Sequence, residues 1–399
     1  MAFTAGLLAA FSLMWQQQAT LASFVDPEHG AGTFSADTLE AITPDLAPGY
    51  GKVSATWTGT TGDWATPQYT LDWSATTGGL GSAQLYSGTG TSASLTTGPG
   101  TQSSQSWLFT DVAAGTTHAC GIAHGSVYCW GTSAAGGLGL GATTTSSVPM
   151  LVGGVLGAQQ VLELSAGKNF TCARTSTGTA YCWGEGSIGQ LGNGGTSDSS
   201  TPQTVTGISD VSSISAGGTH ACAVSGGKAY CWGLNSGYQV GDGSNTQRST
   251  PAAVSVAGVL AGRTVSSVSA GTVHSCAVAD GRAFCWGNNG NGRLGNNSIT
   301  NATTPVAVYV AGVLLGRTVT AVSAGDSHSC AVADGTAFCW GLNTSGRLGN
   351  SSTTQSTIPV AVTTTVMSAT VTAISAGYNH SCAVAAGGVY CWGDGTYTQ

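Results

Sequence analysis

The tripeptide Cys-Trp-Gly occurs six times, around Trp130, Trp183, Trp232, Trp286, Trp340 and Trp392, at intervals of 49 to 54 residues. No other feature constrains the fold as much, because a unit that cannot bury its own apolar face has to stack on its neighbours. A representative copy runs from Val268 through Ser-Ala-Gly, His274, Cys276, Asp280-Gly281 and Phe284 to Cys285-Trp286-Gly287. A Gly-x-Leu-Gly step follows, as at Gly292 to Gly295 and Gly346 to Gly349, and a proline-marked run follows that, at Pro202, Pro251, Pro305 and Pro359. Short runs rich in Val, Thr and Ser, with turn residues every eight to twelve positions, predict strands. A unit near fifty residues has room for four of them, the size of one propeller blade. Composition agrees: 62 of 399 residues are glycine, only 7% are charged, and the charged helix formers Glu, Lys and Arg are scarce.

All 12 cysteines lie in the repeats, two per copy. Cys120/Cys129, Cys222/Cys231, Cys276/Cys285, Cys330/Cys339 and Cys382/Cys391 each flank a two-residue tip: His124-Gly125, Gly226-Gly227, Asp280-Gly281, Asp334-Gly335 and Ala386-Gly387. Such dipeptides suit tight hairpins in which both central residues take positive φ. Counting outward from Asp280-Gly281, Ala279 opposes Arg282, Val278 opposes Ala283, Ala277 opposes Phe284 and Cys276 opposes Cys285. This fourth pair falls at a non-hydrogen-bonded position, where Cα atoms lie about 4.5 Å apart, near the short end of the disulfide range. In the remaining copy Cys172 and Cys182 are one position further apart, and the loop Ser176-Thr177-Gly178 supplies a three-residue turn with a glycine bulge that restores the facing. Zinc is a poor alternative, since each hairpin offers two thiols and at most one nearby histidine where closed sites want four ligands. Reduced buried thiols are a second alternative. Disulfides fit best: no cysteine is left over, and cytosolic proteins rarely carry so many paired thiols. An oxidising compartment is therefore expected.

His118, His220, His274, His328 and His380 stand two positions before the first cysteine of their copies, and Phe170 takes that place in the second copy. One site per repeat is what a structural requirement produces, so these imidazoles are expected to be buried and bonded to the neighbouring blade's backbone. Trp130, Trp183, Trp232, Trp286, Trp340 and Trp392 alternate with cysteines, which places the aromatics on one sheet face and the Cys and His on the other. Both sets read as structural core. Arg293 and Arg347 occupy equivalent rim positions, where a small binding stripe is the alternative to the expected solvated surface; Asp242-Gly243-Ser244 reads as a polar turn rather than a calcium loop. Sequon-like triplets begin at Asn169, Asn296, Asn301, Asn343, Asn350 and Asn379, as expected by chance in so Ser/Thr-rich a chain. No nucleophile elbow, phosphate loop, metalloprotease helix or paired-carboxylate pattern occurs, so no catalytic residue, metal ligand or cofactor is expected. Ten Lys and Arg against 17 Asp and Glu leave a net charge of −7 with no basic run, which argues against a nucleic-acid partner.

Over residues 106–399 the pattern resembles the regulator of chromosome condensation repeat family, specifically its exported bacterial members with paired cysteines. That resemblance implies a β-propeller, seven-bladed in the family. Six hairpins are visible here, so a six- or seven-bladed ring is expected, closed by a strand or degenerate blade from residues before 106 or by further chain. The chromatin and nucleotide-exchange roles of the family's namesake reside in specific loops and are not implied by the repeat.

Residues 1–24 open with an apolar run, Met1 to Trp15, too short to span a bilayer as a helix. They are expected to form a leader or a pilin-like assembly helix, and membrane contact is expected only there. The stretch Ala22 to Asp26, then Gly32 to Leu39, resembles the cleavage region of camelysin-like and biofilm-fibre proteins, which implies export. Residues 25–105 hold β-type runs at Lys52 to Trp57, Gln68 to Trp73 and Ser92 to Thr97, similar to a small fibronectin type III-like sandwich. The expected whole is an all-β, non-enzymatic, extracellular or cell-surface protein displaying a disulfide-stapled propeller. Its expected partner is itself, in a pilus- or fibre-like assembly. The alternative is a secreted propeller that binds or inhibits a protein or glycan through its rim loops, as an exported relative does for β-lactamase.

Overall fold

A computed structural model describes residues 109–363 and 370–395 of the chain. The expectations for residues 1–24 and 25–105 lie outside the described residues. Six antiparallel sheets follow one another, over residues 109–151, 161–204, 211–253, 265–307, 319–361 and 371–393. We number them blades 1 to 6. The first five have four strands in sequential order and the sixth has three. Helix is confined, among the described residues, to two single 3-10 turns, Ala134–Gly136 and Gly154–Leu156.

Blade 4 illustrates the design. Its strands are Val265–Ala270, His274–Ala279, Arg282–Gly287 and Ala302–Ala307. The central hairpin pairs Ala279 with Arg282, Val278 with Ala283, Ala277 with Phe284 and Cys276 with Cys285, the register expected from the turn. Asp280 and Gly281 have φ of 46° and 70°. A hairpin tip that matches the right-handed strand twist needs this left-handed pair, which explains glycine at its second position in every two-residue tip. The proline of the outer strand costs nothing there, because an edge strand leaves one row of N–H groups unpaired.

The core sits between blades. Cys276 and Cys285 of blade 4 pack with Val278 and Ala283 against Phe338 and Trp340 of blade 5. Equivalent clusters join blades 1 and 2, 2 and 3, 3 and 4, and 5 and 6. Alternation along each strand thus feeds both blade faces: the cysteine face of one blade receives the tryptophan face of the next. Trp183, Trp232, Trp286 and Trp340 are fully buried. The outward faces of the first and last blades are the exposed ones among the described residues, with Val112 at 57% and Val389 at 70%.

Candidate functional site

Every cysteine is bonded to the partner it faces. Cys120–Cys129, Cys172–Cys182, Cys222–Cys231, Cys276–Cys285, Cys330–Cys339 and Cys382–Cys391 have Cα separations of 4.0–4.1 Å. No free cysteine exists. The bulged copy works as its turn length predicts: Cys172 opposes Cys182, and Gly178 takes φ of 75°. By chain-entropy reasoning each small loop contributes about 2–3 kcal/mol. Ten cysteines are fully buried, whereas the last pair lies on the outward side of blade 6, with Cys391 exposed among the described residues.

The histidines reach across the blade junctions, and their acceptors differ from the expected backbone. His118 Nε2 lies 2.8 Å from Thr171 Oγ1, and His220, His274 and His328 lie 2.8 Å from Ser275, Ser329 and Ser381 Oγ. Each hydroxyl belongs to the following blade. It in turn donates to a loop carbonyl: Thr171 to Gly137, Ser275 to Gln239, Ser329 to Arg293 and Ser381 to Arg347. A hydroxyl has one proton, so an oxygen that donates to a carbonyl must accept from the imidazole. The ring is therefore the neutral Nε2–H tautomer, assigned from the network. Tryptophan Nε1 of the following blade donates to the same carbonyl, from Trp183, Trp286, Trp340 and Trp392. Imidazole, hydroxyl, carbonyl and indole form one relay at four of the five junctions.

The fifth junction, between blades 2 and 3, is the informative exception. Phe170 replaces histidine, and the residue where the hydroxyl would stand is Ala221. Both polar partners are absent together, and the Gln190 carbonyl keeps only the Trp232 indole. A histidine left without the hydroxyl would strand a buried donor, whereas removing both leaves an apolar contact.

Burial dominates the electrostatics. It pushes His220 and His328 down to about 3, with Arg347, His380 and Arg293 adding to the effect on His328. Burial also holds His274 well below the usual imidazole range, helped by Arg293, His220 and His328, and lowers His118. Nδ1 of His220, His274 and His328 is buried without a hydrogen-bond partner. His380 is only partly buried. Trp130 and Trp392 are partly exposed, on the two terminal blades.

The loops correct one further reading and add a residue that the sequence reading missed. Arg293 and Arg347 are 6% and 3% exposed rather than solvated, and their Nη1 atoms donate to the carbonyls of Asp326 and Tyr378 in the next blade. The sequon at Asn343 is inaccessible: its side chain is fully buried and its Nδ2 donates to Asn350, Ser352 and Thr354 while Oδ1 accepts from Leu348 N–H. Asn235 and Asn289 organise their loops identically. All three stand three positions after a tryptophan, a recurrence that was available in the sequence. Asp242 accepts from Ser244 and Arg248, as a polar turn. No cluster of three or more potential metal ligands occurs among the described residues.

The regulator of chromosome condensation (RCC1) repeat matches residues 124–174, 177–224, 226–278, 280–332 and 334–384, well over half the chain. The chain belongs to the RCC1 repeat family. It is 32% identical to the human E3 ubiquitin-protein ligase HERC2 over 227 residues, 55% of this chain and 5% of that protein. It is 30% identical to the ultraviolet-B receptor UVR8 of Arabidopsis thaliana over 242 residues, 58% of this chain and 54% of the receptor. The chain thus spans about half of UVR8 and a small part of HERC2. Among solved structures, human WBSCR16 superposes with a TM-score of 0.64 at 21% identity, covering 74% of this chain and 82% of that one. Yeast RCC1 (Prp20) bound to Kap60 superposes at 0.60 and 21%, covering 71% and 69%. At these identities the superpositions establish the propeller alone.

Proposed function

We propose that this RCC1-type propeller is a non-enzymatic scaffold that works outside the reducing cytoplasm and presents its rim loops to a protein partner. One observation carries the location: six cross-strand disulfides, with no thiol spared, are stable only where glutathione and thioredoxin do not hold cysteines reduced. The histidines support a scaffold role, since each of the four deeply buried ones is consumed in a blade junction. The alternative of rim binding is favoured over pure display by the repeated connections at residues 256–262 and 310–316. They expose Val256, Val259, Val310, Val313 and Leu315, the last at 72%. Exposed apolar residues on adjacent loops are the usual character of a protein-binding surface. A family precedent exists in Prp20p, whose structure was described with its binding to Gsp1p and histones. Fibre-like self-assembly is the second form of the same reading, with a copy of the chain as the partner.

The test is to fractionate the native host, trap thiols with an alkylating reagent before lysis, and weigh the intact protein. The reading expects an unalkylated chain outside the cytoplasm. Twelve alkylated cysteines in the cytoplasmic fraction would overturn it. Substituting Val259, Val313 and Leu315 by Ser then separates the forms, since it abolishes partner capture without dissolving fibres built through residues 1–24.

A further inference from the structure

Three of the junction relays, those of His220, His274 and His328, have a geometry that cannot accommodate a second proton. In each, Nε2–H donates to a hydroxyl whose own proton is committed to a carbonyl. A proton arriving at Nδ1 would create an N–H with no acceptor in a fully buried site, since Nδ1 of His220, His274 and His328 has no partner. That atom rests over the glycine before it in the turn: a Cβ on Gly271 would come within 3.0 Å of His274 Nδ1. The charges facing these rings offer no rescue. His274 faces Arg293, His220 and His328, and His328 faces Arg347, His380 and Arg293. For His220 and His118 the desolvated surroundings are what count. Asp326 is the carboxylate that faces both guanidinium groups, joined by Asp394 at Arg347.

Junction 2/3 has none of this chemistry. Phe170 against Ala221 has nothing to protonate. We propose that the imidazole–hydroxyl relays of His220, His274 and His328 are acid-released latches, so that lowering the pH opens junctions 3/4, 4/5 and 5/6 while junction 2/3 stays shut. Acid then divides the propeller at defined seams and leaves blades 2 and 3 as one piece. A body built this way holds its rim loops in register at neutral pH and lets them separate in an acidic compartment, which would release whatever bridges them.

The sign follows from linkage. Each imidazole binds its proton more weakly in the closed junction than in the open one, so closure is favoured above the ordinary imidazole value and lost as the pH falls below it. The junctions carry their own reporters. The amides of Ala270, Ala324 and Ala376 each donate across a latched junction, to Ser215, Ser269 and Ser323 Oγ. The amide of Ala216 donates to Ser165 Oγ across junction 2/3. Hydrogen exchange between pH 7 and pH 4, expressed as protection factors, should show Ala270, Ala324 and Ala376 losing about tenfold per pH unit below about 6.5. Ala216 should keep its protection over the same range. The paired variant His274→Phe with Ser329→Ala copies junction 2/3 into junction 4/5; it should flatten the dependence at Ala324 and leave Ala270 and Ala376 steep. Loss of protection at Ala216 with the same slope, or an unchanged slope at Ala324 in the paired variant, would overturn the proposal.

Discussion

The substitution of Phe170 and Ala221 for a histidine and a hydroxyl is a double mutant already present in the chain, and it can be transplanted. Consider His274→Phe, Ser329→Ala and the two combined. Ser329→Ala alone strands the Nε2–H of His274, which is fully buried and bonded at 2.8 Å to that hydroxyl. A buried donor left without a partner costs about 1–3 kcal/mol. The Arg293 carbonyl is spared, because the Trp340 indole still donates to it at 2.9 Å. His274→Phe alone keeps the hydroxyl bonded to that carbonyl at 2.9 Å and loses one net hydrogen bond, about 0.5–1.5 kcal/mol. The combination removes both polar partners and restores a contact that the fold already uses at junction 2/3, so it should lie within about 1 kcal/mol of the parent protein. The single losses together come to about 1.5–4.5 kcal/mol, so the coupling energy is at least about 0.5 kcal/mol in the stabilising direction. Denaturant unfolding of the four proteins with disulfides intact measures it. A double variant whose loss equals the sum of the single losses would show that the imidazole and hydroxyl do not act as a pair.

Three other outcomes follow from the same structure. Limiting phosphine reductant should open Cys382–Cys391 before the other five bridges, because the other ten cysteines are fully buried; peptide mass after alkylation reads the order, and first release at Cys276–Cys285 would contradict it. Gly295→Ala should destabilise by more than about 2 kcal/mol, since φ is +66° and the new Cβ would meet Trp340 Nε1 at 2.6 Å, whereas Gly290→Ala, with Asn288 Oδ1 at 3.5 Å and ordinary φ, should change the unfolding midpoint little. Asn343→Ala should cost about 2–3 kcal/mol by freeing the Ser352 and Thr354 carbonyls and the Leu348 N–H together, and should loosen residues 343–354 in hydrogen exchange before the blade itself.

Much of this architecture was legible before any coordinates. Turn chemistry at Asp280-Gly281 dictates a register, register dictates that Cys276 meets Cys285, and alternation dictates that Trp286 and His274 face opposite neighbours. Those are local arguments, bounded by one hairpin. The relay partners were not legible in the same way, because His274 and Ser329 are 55 residues apart and meet only when two blades stack. A trace existed: the residue after the histidine position is Thr171, Ser275, Ser329 or Ser381 when the previous copy has histidine, and Ala221 when it has Phe170. The guanidinium groups of Arg293 and Arg347 misled for a physical reason. Their loops are polar and glycine-rich, as exposed loops are, yet each side chain lies under the turn of the next blade, where carbonyls at 2.8 and 3.0 Å replace water.

The central claim is that six sibling hairpins are each closed by their own cross-link. Proteolysis of the unreduced protein, followed by mass spectrometry of the linked peptides, addresses it directly. Six bridges are expected, 120–129, 172–182, 222–231, 276–285, 330–339 and 382–391, with no free thiol. A bridge joining two different hairpins, or reduced thiols in freshly isolated native material, would contradict it.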